Sequence, residues 1–159
     1  MFGTIMWATD GSEAADRALP FARELAEGDG KSLVVAHCNE YFFGRGGGYP
    51  VFADEEELQA KIRGQVAELQ AEGIRATLKI VATGSTSPAH VLADVAREFH
   101  PDVIVVGTRG HAPIAGLLLG SVTQRLLHIA PCPVLAVPAG KHAAFEESEQ
   151  REEVTVGGV

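Results

Sequence analysis

Hydrophobic positions along the chain switch between two rhythms. "TIMWA" (Thr4–Ala8) is a short unbroken apolar run that stops at "TDGS". Beyond it, Ala14, Ala15, Ala18, Ala22, Leu25 and Ala26 recur at the three-and-four spacing of one helix face. Asp10 or Ser12 is placed to cap the first turn, and "GDGK" closes the helix. "SLVVAHC" (Ser32–Cys38) is apolar without alternation, as expected of a strand covered on both faces. A long connection, "NEYFFGRGGGYPVFADEE", leads to Leu58, Ile62, Val66 and Leu69, which return to helical spacing before Gly73. "RATLKIVA" (Arg75–Ala82) alternates, predicting a third strand with one face less covered. Ser87 caps and Pro88 opens a helix whose stripe is Val91, Leu92, Val95, Ala96 and Phe99. "VIVVG" (Val103–Gly107), a glycine-rich segment, the helix "SVTQRLLHIA" and the strand "PVLAV" (Pro133–Val137) complete the series.

Five strands alternating with four helices predict an α/β protein. The expected architecture is a five-stranded parallel, doubly wound, Rossmann-like sheet with helices on both faces, an α/β/α sandwich. The crossovers are expected to be right-handed. Ligands of such sheets bind beyond the carboxyl ends of the strands, where strand order reverses. Attention therefore falls on four loops: "TDGS", "NEYFFGRGGG", "TGSTSP" and "GTRGHAPIAGLLLGSVT". Residues 1–138 form the expected domain. Residues 139–159 are polar and rich in glutamate, with no apolar stripe, and read as a disordered, solvating tail. The alternative is that its last residues, "VTVGGV", pair with a sheet edge.

Composition narrows the partners. A length of 159 residues suits one domain with a sizeable core. A formal net charge of −8 weighs against a nucleic-acid partner, which needs a basic surface. It does not weigh against a small anion, because helix ends and local fields can oppose net charge. No apolar run approaches the eighteen or so residues of a membrane span, so no membrane partner is expected. The start, "MFGTIMWATDG", lacks a basic region followed by a long apolar stretch, and a cytoplasmic location is expected. Cys38 and Cys132 lie in apolar runs and read as two buried thiols. No CxxC or Cys/His ligand spacing points to zinc or redox work.

The segment from Gly107 to Thr123 carries the chemistry. Glycines 107, 110 and 120 are separated by two and then nine residues, and Ser121 follows the last. Glycines let backbone approach a ligand without a Cβ in the way. Gly120, Ser121, Val122 and Thr123 stand where the next helix begins, and its free N–H groups and positive dipole end favour phosphate. The hydroxyls of Ser121 and Thr123 add donors. The pattern is neither a Walker A loop nor GxGxxG. Gly116 and the rest of "HAPIAGLLL" read as a spacer that returns the chain across the site. "GRGGG" (Gly44–Gly48) opens no helix directly and reads as a flexible loop at the mouth of the site.

Gly-x2-Gly-x9-Gly-Ser after a fourth strand, a following "APCPVLAVP", and "ATDGSEAADRAL", "LVVAHC" and "PAHVLADVA" elsewhere together resemble the ATP-binding branch of the universal stress proteins. The resemblance runs from Thr4 to Pro138. It implies that Ala8, Thr9 and Asp10 hold the adenosine part, with the Asp10 carboxylate accepting from ribose hydroxyls. It implies that Cys38, just after His37, packs near adenine, where "YFF" either covers the base or packs on the second helix. It implies that Val106, Gly107, Gly110, Gly120, Ser121, Val122 and Thr123 surround ribose and triphosphate. A Mg or Mn ion is expected to accompany the phosphates. Arg109 either reaches phosphate or is an ordinary exposed loop arginine. "TGSTSPAH" is longer than the family's Gly-x-Pro-Ala pattern, which leaves Gly84 in doubt as a contact. The resemblance also implies a homodimer in which the last strand, residues 133–137, pairs antiparallel with its twin.

Three functions follow: a nucleotide-dependent regulatory protein of the stress response, a slow ATPase, or a module of the same fold that binds cyclic AMP or no ligand. His37 reads as structural, and His90 and His128 fall on helices without an evident catalytic partner. No general base, catalytic lysine or second carboxylate stands near the expected phosphates, so binding is favoured over catalysis. Slow hydrolysis by metal and positioning alone stays open.

Overall fold

The unbroken apolar runs become the interior strands of a sheet. A computed structural model describes residues 2–109 and 119–138. In it, β1 (Thr4–Ala8), β2 (Ser32–Asn39), β5 (Ala76–Ala82), β6 (Val103–Gly107) and β7 (Val134–Val137) form one sheet in the order β5-β2-β1-β6-β7. Every pairing within it is parallel. The helices are α1 (Glu13–Ala26), α2 (Glu55–Ala71), α3 (Pro88–Phe99) and α4 (Ser121–Ile129). The five-stranded parallel sheet with four helices is therefore as the pattern predicts.

Strand side chains alternate between faces, and each face has its own core. Ile5, Trp7, Leu33, Val35, Val103 and Val105 pack with α1 and α2. Met6, Ala8, Val34, Ala36, Ile104 and Val106 pack with α3 and α4. With both faces covered, β1, β2 and β6 have no polar side to show, which is why their sequences do not alternate. The indole of Trp7, the one tryptophan of the chain, donates to the Ala15 carbonyl at 3.1 Å and so fastens α1 to the central strand.

Alanines Ala15, Ala18, Ala22 and Ala26 form the buried stripe of α1. Their small size lets the helix approach the sheet closely. Ser12 is the N-cap, its Oγ accepting from Ala15 N at 3.3 Å. Asp10 stands one step back, its Oδ1 accepting from Ser12 N at 3.0 Å. Both polar residues before the helix thus serve its start, in series.

The edges of the sheet differ from its middle. β5 lies at one edge, and its residues 78–81 are half-exposed on both faces, where its alternation predicted one less covered face. β7 lies at the other edge, with Leu135 38% exposed. The long connection after β2 departs from expectation. It holds an antiparallel hairpin of β3 (Tyr41–Gly44) and β4 (Gly47–Pro50), turning at Arg45 and Gly46. The glycines read as a flexible loop are in part strand residues.

From β1 the chain winds outward through β2 to β5 with α1 and α2 on one face. It then crosses back by α3 on the opposite face to β6 and β7. Strand order reverses between β1 and β6, so their carboxyl ends diverge into loops on opposite sides of a crevice.

Candidate functional site

A cavity of about 250 Å³ opens at that reversal point. Nine of the residues singled out in the sequence line it together: Ala8, Asp10, Cys38, Val106, Arg109, Gly120, Ser121, Val122 and Thr123. His37, Glu40, Phe52, Pro88 and Leu92 complete the lining. Gly110 lies outside the described residues, as do the 111–118 spacer and the acidic tail. Thr9 and Gly107 adjoin the cavity in sequence without lining it.

The strand order sorts the lining by polarity. Asp10 and Glu40 follow β1 and β2, on one flank. Arg109 and the first turn of α4 follow β6, on the other. Ala8, Val106, Phe52, Pro88 and Leu92 supply apolar surface among them. The site therefore offers carboxylate acceptors to donor groups such as hydroxyls or amines. At its opposite flank it offers a guanidinium and helix N–H groups to an anion. Gly120 is the N-cap of α4 and makes no side-chain cap bond, so among the described residues no side chain caps the first N–H groups of that helix.

Two residues of the glycine segment have structural work. The Thr123 hydroxyl donates to Gly107 O at 2.8 Å, which commits its one proton and leaves its oxygen only accepting capacity. The donors at the helix start are thus Ser121 and the backbone. Gly107 is a glycine for packing. A Cβ there would stand 2.5 Å from the Ala14 carbonyl oxygen on α1. Thr9 is held in the same structural way, its N–H donating to Ala36 O at 2.9 Å and its hydroxyl accepting from Gly11 N at 3.1 Å. Gly84, with φ of 56°, serves the turn before α3 and does not line the cavity.

His37 is buried and doubly bound. Its Nδ1 lies 2.9 Å from Thr9 O, and its Nε2 lies 2.6 Å from Glu55 Oε1 at the start of α2. Glu55 is itself buried. Cys38 and Cys132 are half-buried free thiols, and Cys38 opens onto the cavity, so the expectation of two fully buried thiols is corrected. Burial still dominates the chemistry of Cys38. With the nearby charges of Glu40 and Glu55 it pushes the thiol up to about 12. The Sγ donates to Pro88 O at 3.6 Å. Glu40 and Phe52 had no local motif to mark them, and Leu92 was marked only as part of a helix stripe. Glu40 is the first residue past β2, and position at a strand's carboxyl end is the signal that could have found it.

Among the described residues no group of three or more His, Cys, Asp or Glu side chains could hold a metal ion, and no helix is long and apolar enough to cross a membrane.

The model of the universal stress protein family matches residues 1–138. The chain belongs to the universal stress protein family. A universal stress protein of Thermus aquaticus is 35% identical over 146 residues, covering 86% of this chain and 99% of its own length. Two solved universal stress proteins share the fold. One was crystallised in complex with cAMP and is 27% identical, with a TM-score of 0.63 over 87% of this chain and 98% of that one. The other, from Archaeoglobus fulgidus, is in complex with dAMP and is 25% identical, with a TM-score of 0.62 over 86% of this chain and 97% of that one.

Proposed function

We propose that the chain is a nucleotide-binding member of the universal stress proteins, with ATP as its ligand, and that occupancy of the cavity regulates its partners. The observation that carries this reading is the polarity of the crevice between β1 and β6. Asp10 stands on one flank, and Arg109 with the uncapped start of α4 stands on the other. A nucleotide has the matching polarity, with hydroxyls and a base at one end and phosphates at the other. The two relatives bound to cAMP and dAMP support an adenine ligand. In this reading the adenosine part lies against Ala8, Asp10, Cys38 and Val106, and phosphate meets Gly120, Ser121, Val122 and Arg109. A Mg or Mn ion would accompany the phosphates and supply positive charge to offset theirs. Binding without rapid turnover fits the lining: its two carboxylates, Asp10 and Glu40, stand on the flank opposite α4.

Calorimetry with Mg-ATP, Mg-ADP and cyclic AMP tests this. Wild type is expected to bind ATP. Asp10→Ala removes a charged acceptor, a loss of about 1.5–3 kcal/mol, or roughly ten- to a hundredfold in affinity. Gly120→Ala narrows the approach to the helix start and is expected to weaken the triphosphate more than adenosine. No heat with any of the three nucleotides overturns the reading.

A homodimer belongs to the same proposal. Among the described residues β7 ends the sheet, and Leu135 is exposed on it, so a ladder edge and an apolar side chain face outward together. Antiparallel pairing of residues 133–137 with a second copy would cover both. Light scattering is expected to give twice the chain mass, and Leu135→Lys to halve it. A wild-type monomer at micromolar concentration overturns this part.

A further inference from the structure

The loop that carries Asp10 is gripped from behind by one face of α2. Thr9 O is held by His37, which is held by Glu55. Gly11 has a φ of 78°, and a Cβ there would stand 2.8 Å from Leu58 Cδ2, so the loop passes hard against that side chain. Lys61 Nζ donates to Gly11 O at 2.7 Å and also pairs with Asp16. Gln65 Nε2 donates to Asp16 Oδ1 at 2.9 Å. Glu55, Leu58, Lys61 and Gln65 follow one another down a helix face, and every one of them acts on residues 9–16 or on the histidine that holds them. The cavity is thus set in part by a helix that contributes no residue to its lining.

The link through His37 depends on a proton. A carbonyl oxygen only accepts, so Nδ1 donates to Thr9 O. Nε2 then faces Glu55 Oε1 at 2.6 Å, and one proton must lie between them, whichever of the two carries it. With that proton the pair is neutral overall. Without it, a lone pair faces a carboxylate in a buried site. Glu55 Oε2 has no hydrogen-bond partner among the described residues, and the one other bond to Oε1 comes from Gln59 Nε2 at 2.9 Å. The carboxylate therefore has little besides the histidine to hold it in place. The other charged or titratable groups around the imidazole are Asp10 beyond β1, Cys38 and Glu40 of the β2 end, Arg109 beyond β6, and Lys61 further along α2.

We propose that His37 and Glu55 are a positioning pair for the nucleotide site, which hold the Asp10 loop in its binding geometry through one shared proton. The inference rests on the nucleotide reading above for its ligand, and on Thr9, His37 and Glu55 for its mechanism. Neither residue needs to touch the ligand by its reacting atoms. The pair transmits the position of α2 to the β1–α1 loop.

The test measures Mg-ATP affinity at one neutral pH in wild type, Glu55→Gln and His37→Asn. Glu55→Gln replaces the carboxylate with an amide that donates to neutral Nε2, so it keeps the link and is expected to bind within about threefold of wild type. The amide of His37→Asn still reaches Thr9 O but ends the link to Glu55, and its affinity is expected to fall about tenfold. Wild-type affinity in His37→Asn, or equal losses in the two variants, overturns the proposal. If Glu55→Gln does not fold, His37→Asn carries the test: weaker binding supports the pair and unchanged binding overturns it. The amide resonances of Asp10 and Gly11 in ligand-free protein separate the two readings. Should no nucleotide bind, displacement of both amides in His37→Asn, with Glu55→Gln close to wild type, still supports the positioning pair. The same displacement in both variants, or in neither, overturns it.

Discussion

The Thr123 hydroxyl donates to the Gly107 carbonyl at 2.8 Å, sixteen residues away in sequence, and so ties the first turn of α4 to the end of β6. Both partners are buried. Thr123→Val keeps the shape and removes the donor, leaving an acceptor without its partner. The expected loss is about 1–2 kcal/mol, read from the urea midpoint. Thr123→Ser restores the hydroxyl and is expected to recover most of it. Equal stability of Thr123→Val and wild type would show that the bond is immaterial.

Gly107→Ala is expected to cost more than its size suggests. The added Cβ meets the Ala14 carbonyl oxygen at 2.5 Å and its carbon at 2.7 Å, both backbone atoms that cannot swing aside. A destabilisation of about 1–3 kcal/mol is expected from guanidinium unfolding. Gly64, exposed inside α2 with nothing within 4 Å of its added Cβ, makes the contrast. Gly64→Ala is expected to stabilise by about 0.5–1 kcal/mol through helix propensity. If the two substitutions shift stability alike, close packing of β6 on α1 is not what requires Gly107.

Cys38 is expected to be a slow nucleophile despite opening onto the cavity. With its thiol pushed up to about 12, only about one molecule in ten thousand carries the thiolate at pH 8. Burial raises Cys132 as well, yet it is the more open of the two to the solvent at the turn before β7. Timed reaction with a disulfide reagent, followed by peptide mass analysis, should label Cys132 first and Cys38 only on unfolding. Labelling of Cys38 at the rate of the unfolded chain would contradict this.

Asp102 predicts an acid-dependent contribution. Its carboxylate accepts from Thr4 N at 2.9 Å and Gly3 N at 2.7 Å, and these bonds hold its carboxyl below the usual range. The folded value lies below the unfolded one, near 3.9, so the contribution is present above about pH 4. It disappears as pH falls through the folded value. The urea midpoints of wild type and Asp102→Ala should differ at neutral pH and converge in acid. A gap that stays constant down to the acid transition would refute it.

Much of the fold was legible because burial on two faces and burial on one leave different marks. Val103–Gly107 reads as an interior strand since neither face meets water, and Leu58, Ile62, Val66 and Leu69 read as a helix since one face does. The β3–β4 hairpin was not legible. Its strands are four residues each, half of β4 is glycine, and Arg45-Gly46 is not a strong turn signal, so glycine's permissiveness hid an ordered ribbon.

The site was legible where backbone position decides it. Asp10, Arg109 and Gly120 follow strand ends or open a helix, and periodicity locates those points. What required the structure was contact between distant segments. Nothing in the sequence puts Ala14 against Gly107, or Glu55 against a histidine eighteen residues before it. Such contacts come from the angle at which helices lie on the sheet, and a linear pattern does not record that angle.

Trp7 gives the molecule an optical gauge of its own. The single indole of the chain sits one residue before Ala8 of the cavity wall, on the opposite face of β1, with its N–H held by Ala15. Because that hydrogen bond spans the β1–α1 loop, a ligand that draws the loop inward must stretch or turn it, and the emission wavelength will move. A ligand that merely fills the cavity will leave the colour of the fluorescence as it was. The spectrum of unlabelled protein therefore distinguishes occupancy that stays local from occupancy that is passed into the helical layer behind the sheet.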